Sequence, residues 1–349
     1  MIWLTWRQFR VQLAAVGGAI TVMLLFLAYT AGGLPDFDDQ FLAAFKSDAL
    51  LGAVYTAGVA VVLCVPAIVG VFWGAPLVAR ELEAGTHRLA WTQSVTRTRW
   101  LATKLVVTGL AAMAATGLLS LILNWWSHSL DQAINAGQKQ NGLFGVSRIA
   151  PPLFEARGIT PIAYTAFALA LGVAIGIVVR RVVPAMAITL ALFVTVQIVM
   201  PVFVREHLGA SSATTVITPR NMMGMMASIN PNGEAAGEVH DLTVEFEKPG
   251  AWLIANQTID RNGEAHRALP SWFARCVPAH AAAVGRPPFS PQEAAACFQR
   301  AKDEGYRQRI RFMPASRYWT LQAIESAIFL ALAALLAGAS FWWLRNRVT

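Results

Sequence analysis

Charge is what this sequence has least of. Of 349 residues, 28 are Lys or Arg and 20 are Asp or Glu, while 56 % are hydrophobic. A chain so poor in charge and so rich in apolar residues is an integral membrane protein. Motifs of catalysis are missing as well. There is no G-x-x-x-x-G-K-[ST] loop, so the chain does not bind ATP through a phosphate loop. Neither G-x-S-x-G nor H-E-x-x-H occurs, and the six histidines are scattered, without the spacing that gathers metal ligands. No catalytic residue, metal site or cofactor of its own is assigned, and no repeat of 20 to 50 residues is visible. The net charge of +8 would point to nucleic acid in a soluble domain. Here no basic module with interleaved aromatics stands apart from the apolar runs, so nucleic acid is not an expected partner. Cysteine is nearly absent too. Cys64 lies in an apolar run and reads as a small buried hydrophobe. Cys276 and Cys297 share the one long polar segment, and can pair with each other if that segment lies on the oxidising side of the membrane.

What the chain does contain is apolar length. Six runs, at 12–30, 53–78, 105–126, 161–179, 182–204 and 321–344, reach or nearly reach the roughly 20 residues a membrane helix needs. The short N-terminal stretch MIWLTWRQFR reads as an interfacial helix rather than a cleaved signal. Eleven cations fall on one side of these runs: Arg7, Arg10, five between Arg80 and Lys104, Arg180, Arg181, Arg345 and Arg347. The short loops of the other side hold Lys46, Lys139, Arg148 and Arg157. The side rich in Lys and Arg stays in the cytoplasm, which puts both termini there. Trp125, Trp126 and Trp319 at predicted outer ends, with Trp73, Trp342 and Trp343 near inner ends, give the same orientation.

The expected fold is an all-α polytopic membrane protein of six transmembrane helices, with an extracytoplasmic α+β domain between the fifth and sixth spans. Residues 1–204 hold the first five spans, 205–317 the external domain, and 318–349 the last span and tail. In the external domain VHDLTVEFE (239–247) alternates like a half-buried strand, and Asn262–Gly263 reads as a hairpin turn. Ser290-Pro291-Gln292-Glu293 opens a helix to about residue 304, and 306–313 is a further strand. Phe37, Phe41 and Phe45 recur every fourth residue. They mark either an amphipathic helix on the outer membrane surface or a hairpin packed on the protein itself. The stretch 127–158 shows no assignable structure.

The most informative stretch is RELEAGTHRLAWTQSVTRTRWLATK, residues 80–104, held in the cytoplasm between two spans. Glu81-Leu82-Glu83-Ala84-Gly85-Thr86, then Ser94-Val95-Thr96-Arg97, then Lys104 at the base of the next span, resembles the coupling segment of type-2 ABC-exporter permeases. Ser94 stands where that family usually has Pro, and Thr103 where it has Gly. Pro314-Ala315-Ser316-Arg317-Tyr318-Trp319 and Glu325 resemble actinobacterial permeases of the class. The resemblance implies a permease subunit in a bacterial plasma membrane, moving its substrate outward; apolar span faces and an aromatic outer loop fit a hydrophobic or amphipathic one. It further implies two copies of a separate ATPase subunit, which carries ATP and Mg, and a homodimer or a related permease as second half. It also implies that Glu81, Glu83, Gly85, Thr86, Arg88, Leu89, Arg97 and Lys104 couple to the ATPase. Leu82, Thr86, Leu89 and Ala90 share one helical face and form an apolar ridge that could seat in a groove. A non-transporting membrane sensor with an external ligand-binding domain is the alternative. A secondary transporter ranks below both, because the spans show no paired broken helices and few membrane acids.

Glu325 is the only acid placed well inside a span, with Gln322 one turn before it and Gln197 at similar depth on the fifth span. A carboxylate at that depth needs a partner, a wet cavity or a proton. Binding a cationic part of the substrate, locking the dimer interface by hydrogen bonds, and snorkelling outward beside Arg317 are the three roles open to it.

Overall fold

The computed structural model describes residues 17–18, 21–30, 41–85, 96–138, 143–229, 235–246, 248–274 and 291–347. The chain divides into two compact units, Met1–Leu208 with Ala315–Thr349, and Gly209–Pro314. In chain order the first unit contains α1 (Thr21–Thr30), α2 (Phe41–Ser47), α3 (Ala49–Glu83), α4 (Arg97–Trp126), α5 (His128–Asn135), α6 (Leu153–Ala156), α7 (Thr160–Val179) and α8 (Val182–His207). The second unit follows with β1 (Ser211–Thr215), β2 (Met222–Ile229), β3 (Ala235–Val244), β4 (Trp252–Ile259), β5 (Ala265–His266), β6 (Ala268–Leu269), α9 (Ser271–Ala274), α10 (Pro291–Asp303) and β7 (Arg307–Met313). The chain then returns to the first unit as α11 (Tyr318–Asn346).

Five helices, α3, α4, α7, α8 and α11, are long and apolar enough to cross a membrane. Of the first expected span, the ten residues of α1 are apolar but too short to cross, and most of 12–20 lies outside the described residues. Two-thirds of the apolar stretch of α7 is buried, against 17 % for α8 and 22 % for α11. Val183, Leu335 and Trp342 on those two helices are more than half exposed, which puts large apolar faces outward as a bilayer requires.

α7 is the axis of the unit, and it meets α3 backbone to backbone. Within α3 the ladder widens to a π-helical turn at Val69–Gly74, just after Pro66 has removed one N–H. A side chain on Gly70 would stand 2.8 Å from the Ala168 carbonyl oxygen, and one on Gly172 only 2.3 Å from that of Gly70. Small residues at four-residue spacing let membrane helices approach this closely, and dispersion between the two backbones then holds them.

The polar start of α3 is capped by Asp48, whose side chain accepts from the Leu50 and Leu51 N–H groups at 2.8 and 3.1 Å. Between the two phenylalanine readings the structure decides: Phe41 and Phe45 are buried among Tyr55, Leu123 and Trp126, so α2 packs on the protein itself. Phe37 lies outside the described residues. The stretch 127–158, to which the sequence assigned no structure, carries α5 and α6 with Leu130, Ile134, Leu153 and Phe154 buried.

In the second unit all ladders are antiparallel, in the orders β1-β7-β4-β5 and β2-β3-β6. Leu242, Val244, Phe273, Phe298, Ile310 and Phe312 form its core. Buried Gln308 is fully used: its amide donates to the Leu242 carbonyl and to Asn256 Oδ1, both at 2.7 Å, and its oxygen accepts from the Thr258 hydroxyl. The hairpin expected at Asn262–Gly263 is present. Gly263 has φ +83°, and Asp260 Oδ1 accepts from the Asn262 and Glu264 N–H groups at 2.9 Å.

Replacing Gly172 by Ala should cost about 3 kcal/mol or more, because a carbonyl rather than a flexible side chain stands in the way. At Gly117 the added carbon would meet only the tip of Ile162, at 3.1 Å. Thermal unfolding in detergent should therefore show a large loss for Gly172→Ala and a small one for Gly117→Ala.

Candidate functional site

Both ends of the 80–104 stretch are anchored to the helical unit. α3 runs on to Glu83 and closes through Gly85 in the left-handed region, at φ +71°. α4 begins at Arg97 with Thr96 as its cap, accepting from the Arg99 N–H at 3.3 Å. Lys104, two turns further in, is buried. Its Nζ donates to Glu81 and to the Leu77 carbonyl, and lies 4.5 Å from the centre of the Trp100 ring. A buried ammonium needs such a partner, so the pair ties the base of α3 to that of α4. Glu83 reaches the next hairpin: its Oε2 accepts from the Val182 N–H at 2.9 Å, satisfying an orphan donor at the start of α8. Arg180, left-handed at φ 58° where α7 ends, donates to the Arg347 carbonyl at 3.2 Å. Glu81 and Glu83 are thus engaged within the chain. Leu82 packs beside Leu77, Val78 and Trp100, and Arg97 is half-buried on the first turn of α4. Thr86, Arg88, Leu89 and Ala90 lie outside the described residues.

A second polar centre lies where α6, α7, α8 and α11 converge. Arg205, which the sequence placed at the start of the external domain, belongs to the helical unit and has no exposed surface. Its Nε and Nη2 form a fork on Glu325 at 2.9 and 2.8 Å, and its Nη1 donates to Glu155 at 2.6 Å. The Phe154 ring covers the guanidinium at 4.1 Å, and the Tyr164 hydroxyl donates to Glu325 Oε1. Glu325 is itself fully buried, which excludes the snorkelling role beside exposed Arg317. Its carboxylate locks α7, α8 and α11 of one chain together.

Gln322 serves a different end. Its oxygen accepts from the Ile159 and Thr160 N–H groups at 2.9 Å, capping α7, while its nitrogen donates to the Phe154 and Arg157 carbonyls. Gln197 is half-buried on α8 and, among the described residues, is not a partner of Glu325. Arg157, counted from the sequence as a loop cation, is also fully buried. It donates to Asp131 at 2.5 Å and to the Tyr55 hydroxyl at 2.7 Å. Burial alone would lower its pKa, but Tyr55 and Asp131 outweigh that and leave it raised, so the guanidinium stays charged. Arg148 stacks on the Tyr318 ring at 4.4 Å and stands 4.0 Å from Asp131. Arg148, Arg157 and Arg205 are thereby matched by Asp131, Glu155 and Glu325.

Of the residues singled out in the sequence, Glu81 and Lys104 come together, and Glu83 joins α8. Glu325 finds a partner that was not foreseen, as the sequence pointed to neither Arg205, Glu155 and Tyr164 nor Arg157, Asp131 and Tyr55. One signal was available: LFEARGIT (153–160) places an acid and a base two apart between apolar residues, an unusual loop composition. Cys297 lies half-buried on α10 beside the core of the second unit, and Cys276 falls outside the described residues.

Long apolar helices around a buried charge cluster, with a polar segment anchored between two of them, define a multi-pass membrane protein. Residues 5–205 match the family described as ABC-2 membrane transporter related, and the chain belongs to that family. The matched region ends on Arg205, so α11 and the second unit lie beyond it. No curated protein and no solved structure matches the chain.

Arg205→Met should destabilise by about 3–5 kcal/mol, because two carboxylates are left buried without their cation. Removing the three charges together, with Glu155→Leu and Glu325→Leu added, should recover most of that loss. Thermal unfolding of the purified variants measures both, and a triple variant no more stable than Arg205→Met would argue against charge pairing as the cause.

Proposed function

We propose that this chain is the permease subunit of an ATP-driven exporter. In this reading six spans cross the bacterial plasma membrane with both termini in the cytoplasm, and the 209–314 unit lies outside the cell. A separate ATPase, in two copies, works on the 80–104 stretch of each of two permeases, and the substrate is hydrophobic or amphipathic. The observation that carries the reading is the pair of anchors at that stretch, Glu81 to Lys104 and Glu83 to the start of α8. A segment so fastened passes a push on its tip to three spans at once, whereas a plain cytoplasmic loop would absorb it. Closure of the ATPase subunits would then swing the helices between inward-open and outward-open states.

Two variants separate docking from transmission. Leu89→Asp puts a charge on the expected docking ridge, and should abolish capture of the separate ATPase subunit. Glu83→Ala removes only the bond to α8. It should leave capture intact while substrate-stimulated ATP hydrolysis falls about tenfold, the loss given by one charge-assisted hydrogen bond. Normal capture and turnover by the Leu89→Asp protein would place the ATPase interface elsewhere.

In the same reading, Cys276 and Cys297 pair on the oxidising side of the membrane. The bond would close a loop of about 20 residues and add about 3 kcal/mol by the chain-entropy account. Mass spectrometry of the unreduced protein should find neither thiol open to alkylation; two alkylated thiols would end the pairing.

A further inference from the structure

Between residues 209 and 314 the charges nearly balance, with eleven Lys or Arg against ten Asp or Glu. Three of the cations nevertheless stand in a single row. The pleat of β7 (RQRIRFM) sends Gln308, Ile310 and Phe312 into the core, and Arg307, Arg309 and Arg311 to the opposite face. Alternate residues of an antiparallel strand are about 7 Å apart, so the three arginines leave the backbone at evenly spaced points. β7 is an inner strand, between β1 and β4, so the row runs along the sheet rather than at its edge.

The neighbours across the ladder are neutral. Ser212 and Thr214 of β1 stand beside Arg311 and Arg309. On β4 the paired positions are Ala255, Gln257 and Ile259. Among the described residues no acid stands opposite the row in the ladder, and none of the three arginines makes an ion pair. Arg309 alone is tethered, donating to the Gly263 carbonyl at 2.8 Å. Ser212, Thr214 and Gln257 are exposed, and bring hydroxyl and amide donors in between the guanidiniums.

We propose that this sheet face binds a linear polyanion built of phosphate groups. Three even positions on a straight line complement a chain of charges better than a single anion. Hydroxyl and amide donors beside Arg309 and Arg311 suit a tetrahedral phosphate, which accepts from several directions, better than a planar carboxylate. The assignment is independent of the transport reading and stands or falls whatever the helices carry.

The test uses the full chain in neutral phosphatidylcholine nanodiscs, titrated with fluorescent polyphosphate at several salt concentrations. R307Q/R309Q/R311Q should lose at least about tenfold in affinity, and its slope of log K against log salt should shrink by about 2, or about 0.7 per lost contact. R220Q/R267Q/K302Q, with the same loss of charge elsewhere in the unit, should bind as the parent does. The row is overturned as the site if the first variant binds like the parent, or if the control loses as much. Polyglutamate binding more tightly than polyphosphate would overturn the phosphate assignment. Phosphatidylglycerol vesicles binding where polyphosphate does not would make the face a membrane contact and refute the polymer. If the first variant fails to fold, Arg307→Gln alone, at an exposed position whose side chain makes no hydrogen bond among the described residues, should still lower the slope by about 0.7; an unchanged slope would refute the proposal.

Discussion

A guanidinium with no exposed surface has to be neutralised inside the fold, and Arg205 sets that condition for the helical unit. In a low-dielectric interior an unpaired charge costs several kcal/mol, so Glu325, Glu155 and Tyr164 can meet only in an arrangement that surrounds it. Each comes from a different helix, which makes the pairing a test of correct assembly as much as a source of stability. Arg157 repeats the arrangement with Asp131 and Tyr55. Between the two clusters Gln322 caps α7 and binds the carbonyls of Phe154 and Arg157, so six helices share one polar network. Lipid offers no driving force between apolar helices, and polar pairing is one of the few forces left to select a partner.

The other force is close approach. Where α3 meets α7, the absence of side chains at Gly70 and Gly172 lets carbonyl oxygens into spaces a Cβ would fill. That contact sits at mid-helix, away from the charges. The two devices divide the work: small residues set how near the helices come, and the arginines fix which helix ends lie together. A third fastening, Lys104 with Glu81, closes the base of α3 against α4 at the far end of those helices.

Much of this was legible in the sequence, and the reason is length. α3, α4, α7, α8 and α11 each contain an apolar run that only a bilayer or a large core accommodates. β7 and the turn at Gly263 were legible for the same local reason, since alternation and turn chemistry involve only neighbouring residues. The charge clusters were not. Arg205 lies 120 positions from Glu325 and 50 from Glu155, and each alone looks like a residue at the end of a span. Glu325 was found because an acid within an apolar run is conspicuous by itself; Arg205 was missed because a cation at the end of such a run is ordinary. Glu83 shows the same limit. Its charge was noticed, but its bond to Val182 spans 99 positions and left no local trace.

The pairing of Ser211 with Phe312 has a consequence for the chain's architecture. The first and last strands of the second unit are neighbours in one sheet, so entry and exit are about 5 Å apart. On the helical side, Arg205 and Glu325 hold the end of α8 against the first turns of α11. Neither unit needs the other to bring its own two ends together. The 209–314 unit is thus an insertion between adjacent points, a module the helices could have acquired, exchanged or lost without redrawing their own packing.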